Sequence, residues 1–135
     1  MQKPEPRYKI VMLVDDNEID NMINQKMLES ANFAERYYVH TSGQSALDFL
    51  ENLVGGDSAS EVLPDLILLD INMPLMDGFQ FLEEFAELND KIENSIGIFM
   101  LTTSINPSDK ERADGNALIT KFLTKPLTLD QLKEL

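Results

Sequence analysis

Three short, largely apolar runs constrain what this chain can fold into more than any other feature. Ile10-Val11-Met12-Leu13-Val14, Leu66-Ile67-Leu68-Leu69 and Ile96 to Leu101 are each about as long as a strand. None alternates apolar with polar residues, so each reads as a strand covered on both faces, as in a parallel sheet between helices. Two of the runs end in acid, the first in Asp15-Asp16 and the second in Asp70.

Between the runs the apolar residues change period. Ile19, Ile23 and Met27 recur every fourth residue with Met22 alongside, which predicts a helix from about Asn17 to Ala31 with one apolar stripe. Tyr37-Tyr38-Val39 predicts a short second strand. Ser42 is a candidate N-cap for a helix through Leu53, carrying Ala46, Leu47, Leu50 and Leu53 on one face. Residues 55–60 read as a flexible connection. Gly78 to Leu88 is a helix with Leu82, Phe85 and Ala86 inward. Asn106-Pro107 starts another helix that Gly115-Asn116 stops. Leu118 to Leu123 is a fifth strand, and Thr128 opens a last helix of about two turns. Residues 1–7 form a loose leader and 8–135 one domain, with no output domain expected after it. Five strands alternating with helices give an α/β domain on a parallel sheet.

Composition narrows the function. A net charge of -13 disfavours nucleic acid and anionic membrane as partners, because both would repel it. No cysteine is present, so disulfides, thiolate metal sites and cysteine nucleophiles are excluded. The first residues lack the apolar core of a signal peptide, and the expected compartment is the cytoplasm.

The residues that carry chemistry all lie at strand ends. In open parallel sheets ligands bind outside the carboxyl ends of the strands. Asp15, Asp16 and Asp70 meet there, and three carboxylates suit a hard divalent cation with open positions, magnesium above others. Thr102 and Lys125 add a hydroxyl and a positive charge from neighbouring strand ends. Carboxylate, metal, hydroxyl and ammonium around one point can hold a phosphoryl group while an aspartate attacks it.

At Leu13-Val14-Asp15-Asp16-Asn17, Leu69-Asp70-Ile71-Asn72-Met73-Pro74-Leu75-Met76-Asp77-Gly78, Met100-Leu101-Thr102 and Lys125-Pro126, the chain resembles the receiver domain of two-component response regulators. The resemblance covers nearly the whole chain, from Tyr8 to Leu135. It implies a doubly wound, flavodoxin-like sheet of five parallel strands in the order 2-1-3-4-5. It implies that Asp70 is the phosphoacceptor, and that Asp16, Asp70 and the Asn72 backbone carbonyl bind magnesium, with Asp15 helping largely through water. Lys125 would contact the phosphoryl group, and its bond to Pro126 would be cis. Thr102 would move toward the phosphoryl group and Phe122 would rotate inward as the switch. The implied partners are a histidine kinase or a histidine phosphotransfer domain, and a downstream protein that reads the altered surface. The protein itself would be a monomer or weak dimer, and no enzyme beyond assisting its own phosphorylation and dephosphorylation.

The chain departs from the family pattern in places. Phe122 stands for the commoner Tyr, Thr103 for a small residue, and the usual Gly-Ala turn before the fifth strand is absent. Three other readings compete: an interaction module indifferent to phosphorylation, a phosphatase with an aspartate nucleophile, and a flavin-binding domain of similar topology. The phosphatase is disfavoured because Asn72 stands where such enzymes place a second acid. The flavin domain is disfavoured because Asp15-Asp16 occupies the place of a phosphate-cradling loop.

Overall fold

The computed structural model describes residues 5–56, 59–92, 95–103 and 106–135. The first four residues of the expected leader, Asp57 and Ser58 of the 55–60 connection, and Ser104 lie outside them. Five strands, β1 (Tyr8–Val14), β2 (Ala34–His40), β3 (Leu66–Leu69), β4 (Gly97–Thr102) and β5 (Ile119–Thr124), form one sheet. Its order is β2-β1-β3-β4-β5 and every pairing is parallel. This is the doubly wound, flavodoxin-like order that the resemblance implied. The helices are α1 (Glu18–Ser30), α2 (Gly43–Val54), α3 (Ala59–Val62), α4 (Gly78–Asn89), α5 (Pro107–Asp114) and α6 (Leu129–Glu134).

Side chains alternate across the sheet into two cores. Met12, Val14, Ile67, Leu69, Ile98 and Met100 pack with Leu50 of α2, Leu82 and Phe85 of α4, and Ala113 of α5. Val11, Leu13, Leu66, Leu68, Phe99 and Leu101 pack on the other face with Leu28 of α1 and Leu132 of α6. Both faces of β1 and β3 are therefore buried, which is why their sequences carry no polar alternation.

Helix starts fix the loops at the carboxyl edge of the sheet. Asn17 accepts from the N–H groups of Ile19 and Asp20, and Ser42 from that of Ser45. Asp77 and Thr128 form capping boxes with Gln80 and Gln131, and Asn106 caps α5 with Pro107 at its first position. Each such cap contributes about 1 kcal/mol and removes slack from the loop before it.

Three expectations are corrected. β2 runs from Ala34 to His40 and is not the short strand centred on Tyr37–Val39, because Tyr8 pairs with Ala34 and extends the edge. A single helical turn, α3, begins at Ala59, inside the expected 55–60 connection. The apolar stripe of α1 meets the core only at Met27, which is half-buried against the second core: Ile19, Met22 and Ile23 are 64%, 54% and 48% exposed, while Asn21, Asn24 and Leu28 are buried. Polar bonding sets this rotation. The Asn21 amide donates to the carbonyls of Asp15, at 2.9 Å, and His40, at 3.4 Å, which pins that face of the helix against the sheet edge.

Candidate functional site

Parallel register brings the predicted residues to one edge. Val14 is level with Leu69, and the Asp70 N–H donates to the Val14 carbonyl at 3.0 Å, so Asp70 sits beside Asp15. Two strands over, the Lys125 N–H donates to the Thr102 carbonyl at 2.8 Å. The loop after Asp70 is drawn tight by Gly78, whose N–H donates to the Ile71 carbonyl at 2.8 Å. A Cβ at Gly78 would lie 2.6 Å from the Asp70 carbonyl oxygen and 3.0 Å from Ile71 Cα, so only glycine permits this approach. The Lys125–Pro126 peptide is cis.

Asp15 and Asp70 are buried, Asp16 is exposed, and one carboxylate oxygen from each lies within 4.8 Å of the others. Asp15 Oδ1 accepts from the Asn17 N–H at 2.9 Å and its Oδ2 from Lys125 Nζ. Lys125 Nζ also donates to Asp20 Oδ2 at 3.0 Å and stands 3.8 Å from Asp70 Oδ2. Burial, then the Asp15 charge, push the Asp70 carboxyl up to about 6, with Asp16 adding to the rise. Lys125 and the Asn72 backbone N–H oppose that shift. Burial works against the Lys125 charge, but hydrogen bonds to Asp15 and Asp20 and the Asp70 charge outweigh it and hold its pKa above the ordinary lysine value.

Thr102 is fully buried at the end of β4, and Asn72 Nδ2 approaches its Oγ1 at 3.5 Å, the outer limit of a hydrogen bond. Phe122 lies apart from the crevice, half-buried on β5 and level with Met100, with the Lys110 ammonium 5.7 Å from its ring centroid. Asp15, Asp16, Asp70, Asn72, Thr102 and Lys125 are thus brought together and Phe122 is not. Asp20 is the residue that sequence reasoning missed, along with the anchoring Asn21. Their spacing after Asp16, on the first turns of the following helix, places them at the same sheet edge.

The donor set fits a hard divalent cation. Its oxygens are close enough to share one ion, two of the three carboxylates are buried, and burial together with like charge has raised the Asp70 pKa, a cost that a cation would offset. With Lys125 beside them, the same groups form a polar crevice for a phosphoryl group. Among the described residues, no helix is long and apolar enough to cross a membrane.

Comparison with known proteins agrees with this geometry. The chain is 32% identical over 124 residues to the probable methanogenesis regulatory protein FilR2 of Methanothrix harundinacea, covering 92% of this chain and 76% of FilR2. It is 31% identical over 124 residues to the response regulator Rcp1 of Synechocystis, covering 92% and 81%. The fold superimposes on a two-component response regulator from Cytophaga hutchinsonii with a TM-score of 0.83 and 26% identity, covering 95% of this chain and 93% of that one. A manganese-bound form of Rcp1 matches with a TM-score of 0.71 and 29% identity, covering 93% and 87%. The family model for the response regulator receiver domain matches residues 11–135. The chain therefore belongs to the response regulator receiver domains, and its role is that of a phosphoacceptor in signalling.

Proposed function

We propose that Asp70 accepts the phosphoryl group, from a histidine kinase or a histidine phosphotransfer domain, and that Asp15, Asp16, Asp70 and the Asn72 carbonyl hold magnesium. The observation that carries this reading is the convergence of Asp70, two further carboxylates and Lys125 on one crevice at the carboxyl edge of the sheet. A bound magnesium supplies positive charge to the phosphoryl oxygens and offsets the repulsion among the carboxylates. An Asp70 carboxylate oxygen forms the new bond to phosphorus, and the bond from phosphorus to the histidine nitrogen breaks with its electron pair left on the ring. Lys125 Nζ and Thr102 Oγ1 donate to the oxygens of the transferring group.

The exposed apolar residues of α1 support a helical donor. Ile23 lines a shallow depression with Asp20, Asn24, Thr103, Lys125 and Pro126, and Ile19 and Met22 are exposed on the same helix. A helix carrying the phosphorylated histidine would cover these side chains and deliver its ring to the crevice. Once phosphorylated, Thr102 shifts toward the new oxygen and Phe122 turns inward, changing the surface formed by α5, β5 and α6. That change biases an existing two-state equilibrium by a few kcal/mol. The output is contact with a downstream protein or onward transfer of the group, in the cytoplasm, from a monomer or weak dimer.

The test is incubation with magnesium and a small acyl phosphate donor, followed by intact mass. One added phosphoryl group on the wild type and none on Asp70→Ala is expected. No gain, or equal gain on both, refutes the assignment. If Asp70→Asn binds the downstream protein and signals as wild type does, the phosphorylation-independent reading replaces this one.

A further inference from the structure

Lys125 is held by two carboxylates, and only one belongs to the phosphoacceptor crevice. Its Nζ donates to Asp15 and, at 3.0 Å, to Asp20 Oδ2, while Asp70 Oδ2 stands off at 3.8 Å. Asp20 is fixed at the first turn of α1, where its N–H donates to the Asn17 side chain at 3.0 Å. Its carboxylate lies outside the trio whose oxygens can share one cation. The Lys125 side chain is only 10% exposed, so water does not readily replace a partner that it gives up.

We propose that Asp20 is a positioning residue that acts on phosphoryl transfer through Lys125. An ammonium has three N–H bonds, and Asp20 occupies one of them while Asp70 Oδ2 stands beyond hydrogen-bond distance. When Asp15 turns to a cation, Asp20 is the carboxylate that keeps its hold on the lysine. It draws Nζ toward α1 and offsets part of the charge that would otherwise reach the phosphoryl oxygens. Both chemical steps pass through that charge. In the first, Asp70 forms a bond to phosphorus as the donor leaves with its bonding pair. In the second, a water oxygen bonds to phosphorus, the Asp70–phosphoryl bond breaks, and Asp70 regains its carboxylate. One proton of that water stays on the released phosphate and the other passes to solvent. Asp20 therefore slows both arrival and loss of the group, and lengthens the lifetime of the phosphorylated state. This inference rests on the reading of Asp70 as phosphoacceptor.

The test uses the full chain with saturating magnesium and acetyl phosphate, following label gain and its decay after donor removal. Asp20→Asn keeps the shape of the side chain and removes its charge, and it should speed both steps about three- to tenfold. Asp20→Glu restores the charge and should stay within about twofold of wild type. In a Lys125→Gln background, Asp20→Asn should change neither rate, because the route through the lysine is gone. Rates unchanged or slowed in Asp20→Asn overturn the proposal. So does an acceleration that persists without Lys125, which would mean that Asp20 merely repels the anionic donor. Label on the wild type with no effect of Asp20→Asn sinks only this inference. No label on the wild type sinks the Asp70 reading and this one with it.

Discussion

Replacing Asp70 by asparagine should stabilise the cation-free protein, in a pH-dependent way that the crevice geometry dictates. Burial and the neighbouring Asp15 raise the Asp70 carboxyl from 3.8 to about 6. At about 1.4 kcal/mol per pH unit, the charged carboxylate then costs about 3 kcal/mol of folding stability at neutral pH. The sign follows from proton binding. Between pH 3.8 and about 6 the folded state holds the Asp70 proton and the unfolded state does not, so stability falls as pH rises through that window. Above it the cost is complete, and below it the cost vanishes. The amide of Asp70→Asn carries no charge at any pH, so the variant's advantage should grow from near zero at about pH 4 to about 2–3 kcal/mol at neutral pH. Urea unfolding across this range, in chelator, measures it. Magnesium should then stabilise the wild type more than the variant, which has lost one charged ligand. A variant no more stable than wild type at neutral pH, or equally advantaged at both ends, would refute the argument from buried like charges.

Other perturbations test the scaffold and the docking face. Gly78→Ala places a methyl against the Asp70 carbonyl and Ile71 Cα, and should cost about 2–3 kcal/mol in urea unfolding and slow phosphorylation by displacing Asp70. Leu75 is fully exposed with φ of 69°, so Leu75→Gly should raise stability by about 0.5–1 kcal/mol in the same assay, and a loss would contradict a strained loop. Ile23→Ser should leave stability within about 0.5 kcal/mol and labelling by acetyl phosphate unchanged. Transfer from a phosphohistidine domain should nonetheless fall severalfold, and equal loss with both donors would contradict a docking role for α1.

The crevice was legible because its residues end strands. Leu66–Leu69 is apolar throughout, so its place inside the sheet and the edge position of Asp70 followed from the run alone. The site trio and Lys125 then met as parallel register requires. The orientation of α1 was not legible, because Ile19 and Ile23 of its apolar pattern are exposed and only Met27 reaches the core, while Asn21 and Asn24 are buried. Asn21 is buried because its amide bonds carbonyls at the ends of β1 and β2, a non-local reward that no periodicity reports. Asp20 was hidden for the same reason, since its partner lies 105 residues away in the chain. The start of β2 was missed because Glu35 and Arg36 are exposed on an edge strand and break the apolar signal.

The identity of the phosphoacceptor can be read chemically. After phosphorylation by acetyl phosphate with magnesium, borohydride reduces an aspartyl phosphate to homoserine, and peptide mass spectrometry finds which residue changed. Homoserine in place of Asp70 alone is the predicted result. Homoserine in place of Asp15 or Asp16, or of no aspartate in a protein that has gained a phosphoryl group, would contradict it.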